Sequence, residues 1–366
     1  GTESAGNYRG EVKVFEYNSG TSIWSQKGST IIPDQGYTTG TTYGARWGYS
    51  VSLNAAGDRV AIGGRHYTPS TSYINAGGVA VYDFTSDWNQ HSLASGHVYT
   101  PFNQNYNLFG TSVKLNDAGT VLIVGAVRGG INTNSYYGYV TVLSIESSTI
   151  SQIGGYLQAG IPRSERSYNS SHYTQFPRQS DYFGQSVSCD STGHRIIVGV
   201  ATNFLGTKAR RPGSARVFEW RQISRTEWDQ GQKDNYNTSS KLIIRGLYSE
   251  WSPNAYFWIQ VGNTLWDNTL SQPNLGHAIN KGQDLRDLFG HSVDMNQAGD
   301  RVIVGAYYSN SYTRWNSSTN NDKHVAYDRK GAVFIFDLTE ATDGSGAPDA
   351  HTSTWNLAHP MIIGEH

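Results

Sequence analysis

The clearest pattern along the chain is a stretch in which apolar and polar residues alternate, followed by a turn and a continuous apolar run. In the first copy Val51 and Leu53 alternate with serines, residues 54–57 form the turn, and the apolar run leads into Gly63. Alternation with a period of two indicates a β-strand, and a continuous apolar run indicates a strand covered on both faces. The pattern therefore predicts a β-hairpin.

This hairpin pattern recurs with fixed internal spacing. Each copy opens on an aromatic-Gly-x-Ser-Val motif, and glycines follow ten and sixteen positions after the aromatic residue. The copies open at Trp47, Phe109, Phe183 and Phe289. A repeat of this kind indicates a single architecture built from similar units.

Two further strands follow the hairpins. The third strands begin at Gly78, Gly138, Gly213 and Gly331, and weaker fourth strands are expected over Trp24–Ile32, Trp228–Ile244 and Trp355–Ile363. Repeated units of four antiparallel strands, without helical periodicity, predict an all-β fold, a β-propeller built from four-stranded antiparallel blades. Four full repeats and a half blade are expected.

The boundaries follow from the repeat. We expect a single β-propeller-like domain over 1–366, with a half blade at 9–45, repeats starting near 47, 109, 183 and 289, and a long insertion at 229–284. The strand count leaves the ring without one inner hairpin. The 241–266 segment could supply it, the chain could be part of a longer propeller, or a neighbouring molecule could donate strands.

Composition narrows the classes of partner. Aromatic residues make up 13% of the chain and charged residues 16%, with 41 glycines and a net charge of −1. The aromatic content excludes a disordered chain. The near-zero charge argues against nucleic acid as a partner. No apolar run approaches the roughly 20 residues of a membrane helix, so membrane insertion is not expected.

Several features favour a secreted protein. Sequons for N-glycosylation lie at Asn169, Asn237 and Asn316 in stretches that resemble exposed loops, although chance sequons are common in a chain rich in Asn, Ser and Thr. The chain starts on Gly1, which suggests a processed or excised product. The single cysteine, Cys189, occupies the position of Leu53 in the first repeat, so a buried thiol is expected.

The repeat resembles the FG-GAP repeats of integrin-α-like β-propellers, of the type found in large secreted or surface proteins of algae and related protists. The resemblance covers about residues 9–364 and implies an extracellular interaction or structural module. In that family the loop between the first two strands often binds calcium through D-x-D-x-D-G. The matching loops here hold one carboxylate each, so they are expected to be plain turns, with no cofactor: Asn54–Asp58, Asn116–Thr120, Asp190–His194 and Asn296–Asp300.

The sequence offers no catalytic or metal motif. The polar face of the inner strands is expected to carry Ser50, Ser52, Ser112, Lys114, Ser186, Ser188, Ser292 and Asp294. A propeller glycosidase needs two carboxylates there, whereas Asp294 stands alone. A close pair among Glu219, Asp229, Glu250, Asp287 and Asp294 would favour an enzyme. No histidine falls in a metal-ligand spacing.

Aromatic residues in the connecting segments are the candidate binding residues. Tyrosine and tryptophan beside Asn, Gln and Ser can stack on sugar rings or dominate protein contacts, or they can simply pack long loops. The candidates are Tyr67, Tyr106, Tyr136, Tyr137, Trp251, Tyr256, Trp258, Tyr307, Tyr308 and Trp315.

Three functions remain open on these grounds. The favoured hypothesis is a noncatalytic extracellular structural or adhesive module at the cell surface, a subunit of a fibre or coat, whose partners are extracellular proteins or copies of itself. The first alternative is a lectin-like propeller that binds glycans through the aromatic loops. The second alternative is a polysaccharide-active enzyme.

Overall fold

A computed structural model describes most of the repeat units. The described residues are 9–33, 44–91, 97–99, 104–129, 138–147, 149–157, 182–201, 213–225, 229, 243–244, 252, 254–265, 288–307, 331–342, 348–358 and 362–363. Within them the named elements are 21 β-strands in five antiparallel sheets. No helix in this part of the chain is long and apolar enough to cross a membrane.

Each sheet is one unit of the repeat. The half blade holds β1 (Phe15–Asn18) and β2 (Ile23–Gln26). The first blade holds β3 (Trp47–Leu53), β4 (Arg59–Gly64), β5 (Gly78–Phe84), β6 (Trp88–Gln90) and β7 (His97–Tyr99). The second blade holds β8 (Phe109–Leu115), β9 (Val121–Ala126), β10 (Tyr139–Ile145) and β11 (Ile150–Gln152). The third blade holds β12 (Phe183–Cys189), β13 (Arg195–Val200), β14 (Ser214–Gln222), β15 (Ile243–Ile244) and β16 (Tyr256–Gln260). The fourth blade holds β17 (Phe289–Met295), β18 (Arg301–Ala306), β19 (Ala332–Thr342), β20 (Pro348–Leu357) and β21 (Ile362–Ile363).

The predicted fold class is confirmed: this is an all-β protein of antiparallel propeller-type blades. The first strands β3, β8, β12 and β17 contact one another in succession, so they form the inner edge of the blades. Each first strand begins with a β-bulge at its aromatic-Gly pair, as between Trp47 and Ser50. Gly48 lies within this bulge at a φ of 83°, a conformation that favours glycine.

The outer side of each third strand pairs with two successive pieces of chain. In the first blade β6 pairs with one end of β5 and β7 with the other. In the half blade the second piece is a single bridge between Val12 and Ile31. This arrangement explains the predicted fourth strands that end on isoleucines near residues 32 and 363.

The third blade differs from the sequence prediction. Its fourth strand is β16, with β15 outside it, whereas the sequence predicted a strand over Trp228–Ile244. Trp258 of β16 is fully buried, and its Nε1 donates to the carbonyl oxygen of Ile153 in the second blade at 3.0 Å. The described part of the 241–266 segment therefore forms outer strands, and it does not supply the inner hairpin that the ring lacks.

Apolar side chains fill the space between successive blades. Val113 and Leu115 of β8 pack against Ala61, Val79 and Val81 of the first blade in one buried cluster. Burial of such side chains is the main stabilising contribution at each junction. Cys189 of the third blade has the position of Leu115 and is buried as expected, and burial raises the pKa of its thiol to about 12.

A recurring hydrogen bond also joins the blades. In the first three blades the serine of the aromatic-Gly-x-Ser-Val motif donates through Oγ to the carbonyl oxygen of the motif glycine in the next blade. The three bonds are Ser50 to Gly110 at 2.9 Å, Ser112 to Gly184 at 2.8 Å and Ser186 to Gly290 at 2.9 Å. The motif therefore stabilises the contact between successive blades as well as the hairpin to which it belongs.

Candidate functional site: a basic cluster between the first and second blades

Two arginines of the first blade depart from the repeat. Arg46 directly precedes the motif aromatic, and the other three blades carry Leu108, Tyr182 and Leu288 there. All four residues have a positive φ, between 48° and 57°, so the backbone of the repeat is retained. Only the chemistry of the side chain has changed.

Arg65 is the second departure. It follows the end of β4, where the corresponding residues are Val127, Ala201 and Tyr307. Arg65 is partly buried, and its Nε has no hydrogen-bond partner among the described residues. Burying a cationic group is costly, and departures from a structural rule tend to mark functional positions. The other three blades keep the same repeat without an arginine at either position, which points to a role in binding.

Two more basic residues, one in the first blade and one in the second, follow the ends of the second strands in the same way. His66 follows Arg65, and its backbone NH donates to the carbonyl oxygen of Ala45 at 3.2 Å. Arg128 is at the position of His66 in the second blade, with its NH bonded to Asn107 at 3.3 Å. We call Arg46, Arg65, His66 and Arg128 the basic cluster. Alignment of the repeats separates Arg46 and Arg65 from their equivalents, and this signal is independent of the predicted aromatic sites.

The electrostatics of the basic cluster favour an anion. Burial, together with the positive charges of Arg65, Arg46 and Arg128, lowers the pKa of His66 to about 4. His66 is therefore neutral at pH 7. The guanidinium of Arg65 lies over the ring of Tyr49, with Cζ 4.4 Å from the ring centroid. This cation–π contact holds Arg65 in place beside an aromatic face that is 44% exposed.

A second polar group lies on the inner strands. The positions of Ser52 in the other blades are Lys114, Ser188 and Asp294. Ser188 Oγ donates to Oδ1 of Asp294 at 2.6 Å, and Lys114 Nζ lies 3.9 Å from the same oxygen. The structure thus brings three predicted inner-strand residues together. It pairs Asp294 with an ammonium group and not with a second carboxylate.

The remaining acidic candidates that the structure describes each bind an arginine. Glu219 is bound to Arg195 at 2.8 Å, and Asp229 to Arg225 at 3.0 Å. Glu250 and Asp287 lie outside the described residues. The carboxylate that lies near Glu219 is Glu340, which is outside this set and accepts from the same Arg195 nitrogen at 2.8 Å. Both are thus neutralised by one guanidinium, and the described members of the set form no pair with one another.

A further group of titratable residues lies where the first blade meets the second, and it consists of Arg59, Asp83 and His91. Burial acts to raise the pKa of Asp83, yet hydrogen bonds from Arg59 and His91 lower it overall. Arg59 also donates to the carbonyl oxygen of Gly119 in the second blade at 2.9 Å, and His91 Nε2 lies 2.8 Å from that of Glu146. Equivalent pairs recur as Arg195–Glu219 and Arg301–Asp337. The group therefore belongs to the repeat architecture.

The hairpin turns of the first and fourth blades show ordinary turn chemistry. Asn54 Oδ1 accepts from the backbone NH of Asp58 and Arg59, at 3.1 and 3.0 Å. Asn296 makes the same contacts in the fourth blade. Across the described part of the chain, no three His, Cys, Asp or Glu side chains are grouped so that they could hold a metal ion.

The aromatic candidates are spread over several surroundings. Tyr67 is buried and packs at a tilt against Trp47, with ring centroids 5.4 Å apart. Trp258 is buried in the junction described above, so these two residues belong to the core. Tyr106, Tyr256 and Tyr307 are exposed, on different blades or junctions. The other candidates and the three sequons lie outside the described residues: Tyr136, Tyr137, Trp251, Tyr308, Trp315, Asn169, Asn237 and Asn316.

The blades and their junctions define a protein of the β-propeller class. No protein-family model and no curated protein matches the sequence. Among solved structures, the chain is similar to a candidate 6-phosphogluconolactonase from Bacteroides uniformis, with 11% identity, coverage of 100% of this chain and 95% of that one, and a TM-score of 0.42. It is also similar to the periplasmic gluconolactonase of Pseudomonas aeruginosa, with 12% identity, coverage of 97% and 79%, and a TM-score of 0.35. The Swd1 β-propeller domain of Myceliophthora thermophila follows with 9% identity, coverage of 97% and 81%, and a TM-score of 0.30.

These comparisons correct the functional expectation. The noncatalytic structural or adhesive role, and with it the expectation that the protein is not an enzyme, is contradicted because the first two of these structures are named for enzymes. The β-propeller part of the resemblance is supported, whereas no family model matches the FG-GAP repeat.

Proposed function

We propose that this propeller binds a small anionic molecule, as ligand or substrate, at the basic cluster. The observation that carries the proposal is the replacement of apolar repeat residues by Arg46 and Arg65, next to Arg128 and a neutral His66. Three guanidinium groups act on one histidine, so the local potential is positive although the net charge of the chain is −1. Phosphate and carboxylate groups are the ligands that suit such a site.

The chemistry of the side chains supports this ligand class. Guanidinium groups bind carboxylates and phosphates in a bidentate manner, and partial burial strengthens the interaction because water screens it less. The exposed ring of Tyr49 beside Arg65 offers a face for the uncharged part of the molecule. Its identity as a tyrosine is specific to the first blade, since the equivalent residues are Thr111, Gln185 and His291.

Calorimetric titration of the full chain with inorganic phosphate and with citrate tests the proposal. The variants Arg46→Leu and Arg65→Val introduce residues that the second blade carries at the same positions, so the fold should tolerate them. We expect saturable binding to the native chain and a loss of about tenfold in affinity for each variant. Arg225→Gln removes an exposed arginine of the third blade and serves as the control. Absence of binding to the native chain, or equal losses in all three variants, would contradict the proposal.

Two broader expectations are also proposals. The aromatic-Gly-x-Ser-Val motif supports assignment of the repeat to the FG-GAP type, and the sequons at Asn169, Asn237 and Asn316 support an extracellular location. The low net charge supports partners other than nucleic acid. Mass measurement of the protein from its native source, before and after enzymatic deglycosylation, tests the sequons.

A further inference from the structure

Three kinds of contact recur where one blade meets the next. The motif serine reaches the next motif glycine, the third-strand glycine lies against the next motif aromatic, and a fourth-strand tryptophan donates to the preceding blade. The tryptophan bonds are Trp88 to Lys27 O at 2.6 Å, Trp258 to Ile153 O at 3.0 Å and Trp355 to Val261 O at 3.0 Å. Each repeat unit therefore presents one face that fits the unit before it and one that fits the unit after it.

In the part of the chain that the structure describes, the half blade has no counterpart of the two inner strands that every full blade has. It consists of β1 and β2, which correspond to the third and fourth strands, and among the described residues β1 pairs on one side only. The edge of β1 that faces the axis is thus equivalent to the edge of β5 that pairs with β4. Such an edge is a template for another strand.

The adjoining face of β3 is apolar and exposed. Val51 and Leu53 are 49% and 45% exposed, whereas the equivalent Val113 and Leu115 of the second blade are 7% and 2% exposed. The residue that covers this position from the preceding blade is Ala61, Ile123 or Ile197 at the three filled junctions, and each is fully buried. We call the edge of β1 and the face of Val51 and Leu53 the open junction.

The repeat identifies what fits the open junction. At every filled junction this place is taken by the first and second strands of a blade, a hairpin that opens with aromatic-Gly-x-Ser-Val. The motif occurs four times in the sequence, and the structure uses all four as β3, β8, β12 and β17. A second copy of this chain would have to unfold one of its own blades to supply such a hairpin.

We propose that the open junction binds a β-hairpin of the aromatic-Gly-x-Ser-Val type from a partner polypeptide that carries a further copy of the repeat. Its second strand pairs with the free edge of β1 and places an Ile or Ala side chain over Val51 and Leu53. Its motif serine donates to the carbonyl oxygen of Gly48, as Ser50 does to Gly110. The half blade thereby becomes a complete blade by strand addition.

A synthetic peptide with the sequence of residues 108–126 is the direct probe, because it is a hairpin of this repeat. Labelled peptide is titrated into the full chain and followed by fluorescence anisotropy. We expect saturable binding that weakens about tenfold or more for the peptide with Ile123→Lys. The double variant Val51→Ser, Leu53→Ser of the chain should weaken it similarly. Ile303→Ser, at an exposed position on the fourth blade, is the matched control and should have no effect.

A second measurement tests the proposal even if the isolated peptide does not form a hairpin. The same hairpin is fused ahead of residue 1 through a Gly-Ser linker, and the thermal midpoint of the fusion is compared with that of the fusion carrying Ile123→Lys. A higher midpoint for the first fusion supports the proposal, and equal midpoints overturn it. Peptide binding that depends on Ile303 but not on Val51 and Leu53 overturns it as well, as does sedimentation showing that the unmodified chain covers this face by self-association.

Discussion

The three filled junctions and the open junction are built from the same repeat positions, yet their burial differs. At a filled junction Val113 and Leu115 are 7% and 2% exposed, whereas the equivalent Val51 and Leu53 at the open junction are 49% and 45% exposed. The difference arises from the neighbour and not from the residue. Each unit therefore carries the side chains that form a junction whether or not a neighbouring unit is present. The loss in free energy of unfolding caused by a substitution should depend on whether a neighbouring unit covers that position.

Isoleucines on the second strands give the largest expected contrast. Ile197 is fully buried against the fourth blade, and the equivalent Ile303 is 40% exposed. Truncation of a buried isoleucine leaves a cavity, so Ile197→Ala should lower the free energy of unfolding by about 4 kcal/mol and Ile303→Ala by about 1 kcal/mol. Urea unfolding measures both. Equal losses would mean that the outward face of the fourth blade is covered in solution.

Third-strand glycines offer a second contrast. A Cβ at Gly138 would overlap the backbone of Phe183 in the third blade, whereas at Gly331 the nearest atom is Tyr307 O at 3.4 Å, within the same blade. Both glycines have a positive φ, 79° and 70°. Gly138→Ala should therefore cost about 3 kcal/mol, through strain and overlap, and Gly331→Ala about 1 kcal/mol, through strain alone. Chemical denaturation monitored by tryptophan fluorescence compares the two, and a Gly331→Ala variant as unstable as Gly138→Ala would refute the contrast.

The basic cluster should make the stability of the protein depend on pH. His66 has a folded pKa of about 4, lowered by burial and by its arginine neighbours, against 6.5 when unfolded. Below pH 6.5 the unfolded chain binds a proton at this residue that the folded chain does not, so stability should fall as the pH drops from 6.5 to 4. His66→Gln should reduce this slope in thermal unfolding at several pH values. His194→Gln, in an exposed turn, is the control, and an unchanged slope in His66→Gln would show that other groups carry it.

The inner hairpins could be predicted from the sequence because their determinants are local. Alternation within seven residues and the motif glycine are sufficient to place β3, β8, β12 and β17. The outer strands of the third blade could not be placed, since Trp228–Ile244 and Tyr256–Gln260 both fit a strand. The structure selects the latter through a tertiary contact, the indole of Trp258 on Ile153.

The candidate site was predictable in part. Alignment of the repeats already separates Arg46 and Arg65 from their apolar equivalents. The participation of Arg128, 62 positions further along the chain than His66, depends on how two blades meet, which no local pattern encodes. The same holds for the approach of Lys114 and Asp294, which come from blades that are not consecutive in sequence.

Substitutions of the motif serines should give the smallest difference in stability loss between a filled junction and an exposed face. They test the hydrogen bond between blades directly. Ser112 is buried and donates to Gly184 at 2.8 Å, whereas Ser292, on the fourth blade, has no such bond to a following blade among the described residues. Ser112→Ala should lower the free energy of unfolding by about 1 kcal/mol because it leaves the carbonyl oxygen of Gly184 without this donor, and Ser292→Ala should change it little. Hydrogen exchange of the amides in β12 should accelerate in Ser112→Ala alone. If Ser292→Ala had the same effect as Ser112→Ala in both measurements, the motif serine would stabilise only its own hairpin. The hydrogen bond between blades would then contribute nothing to the free energy of unfolding.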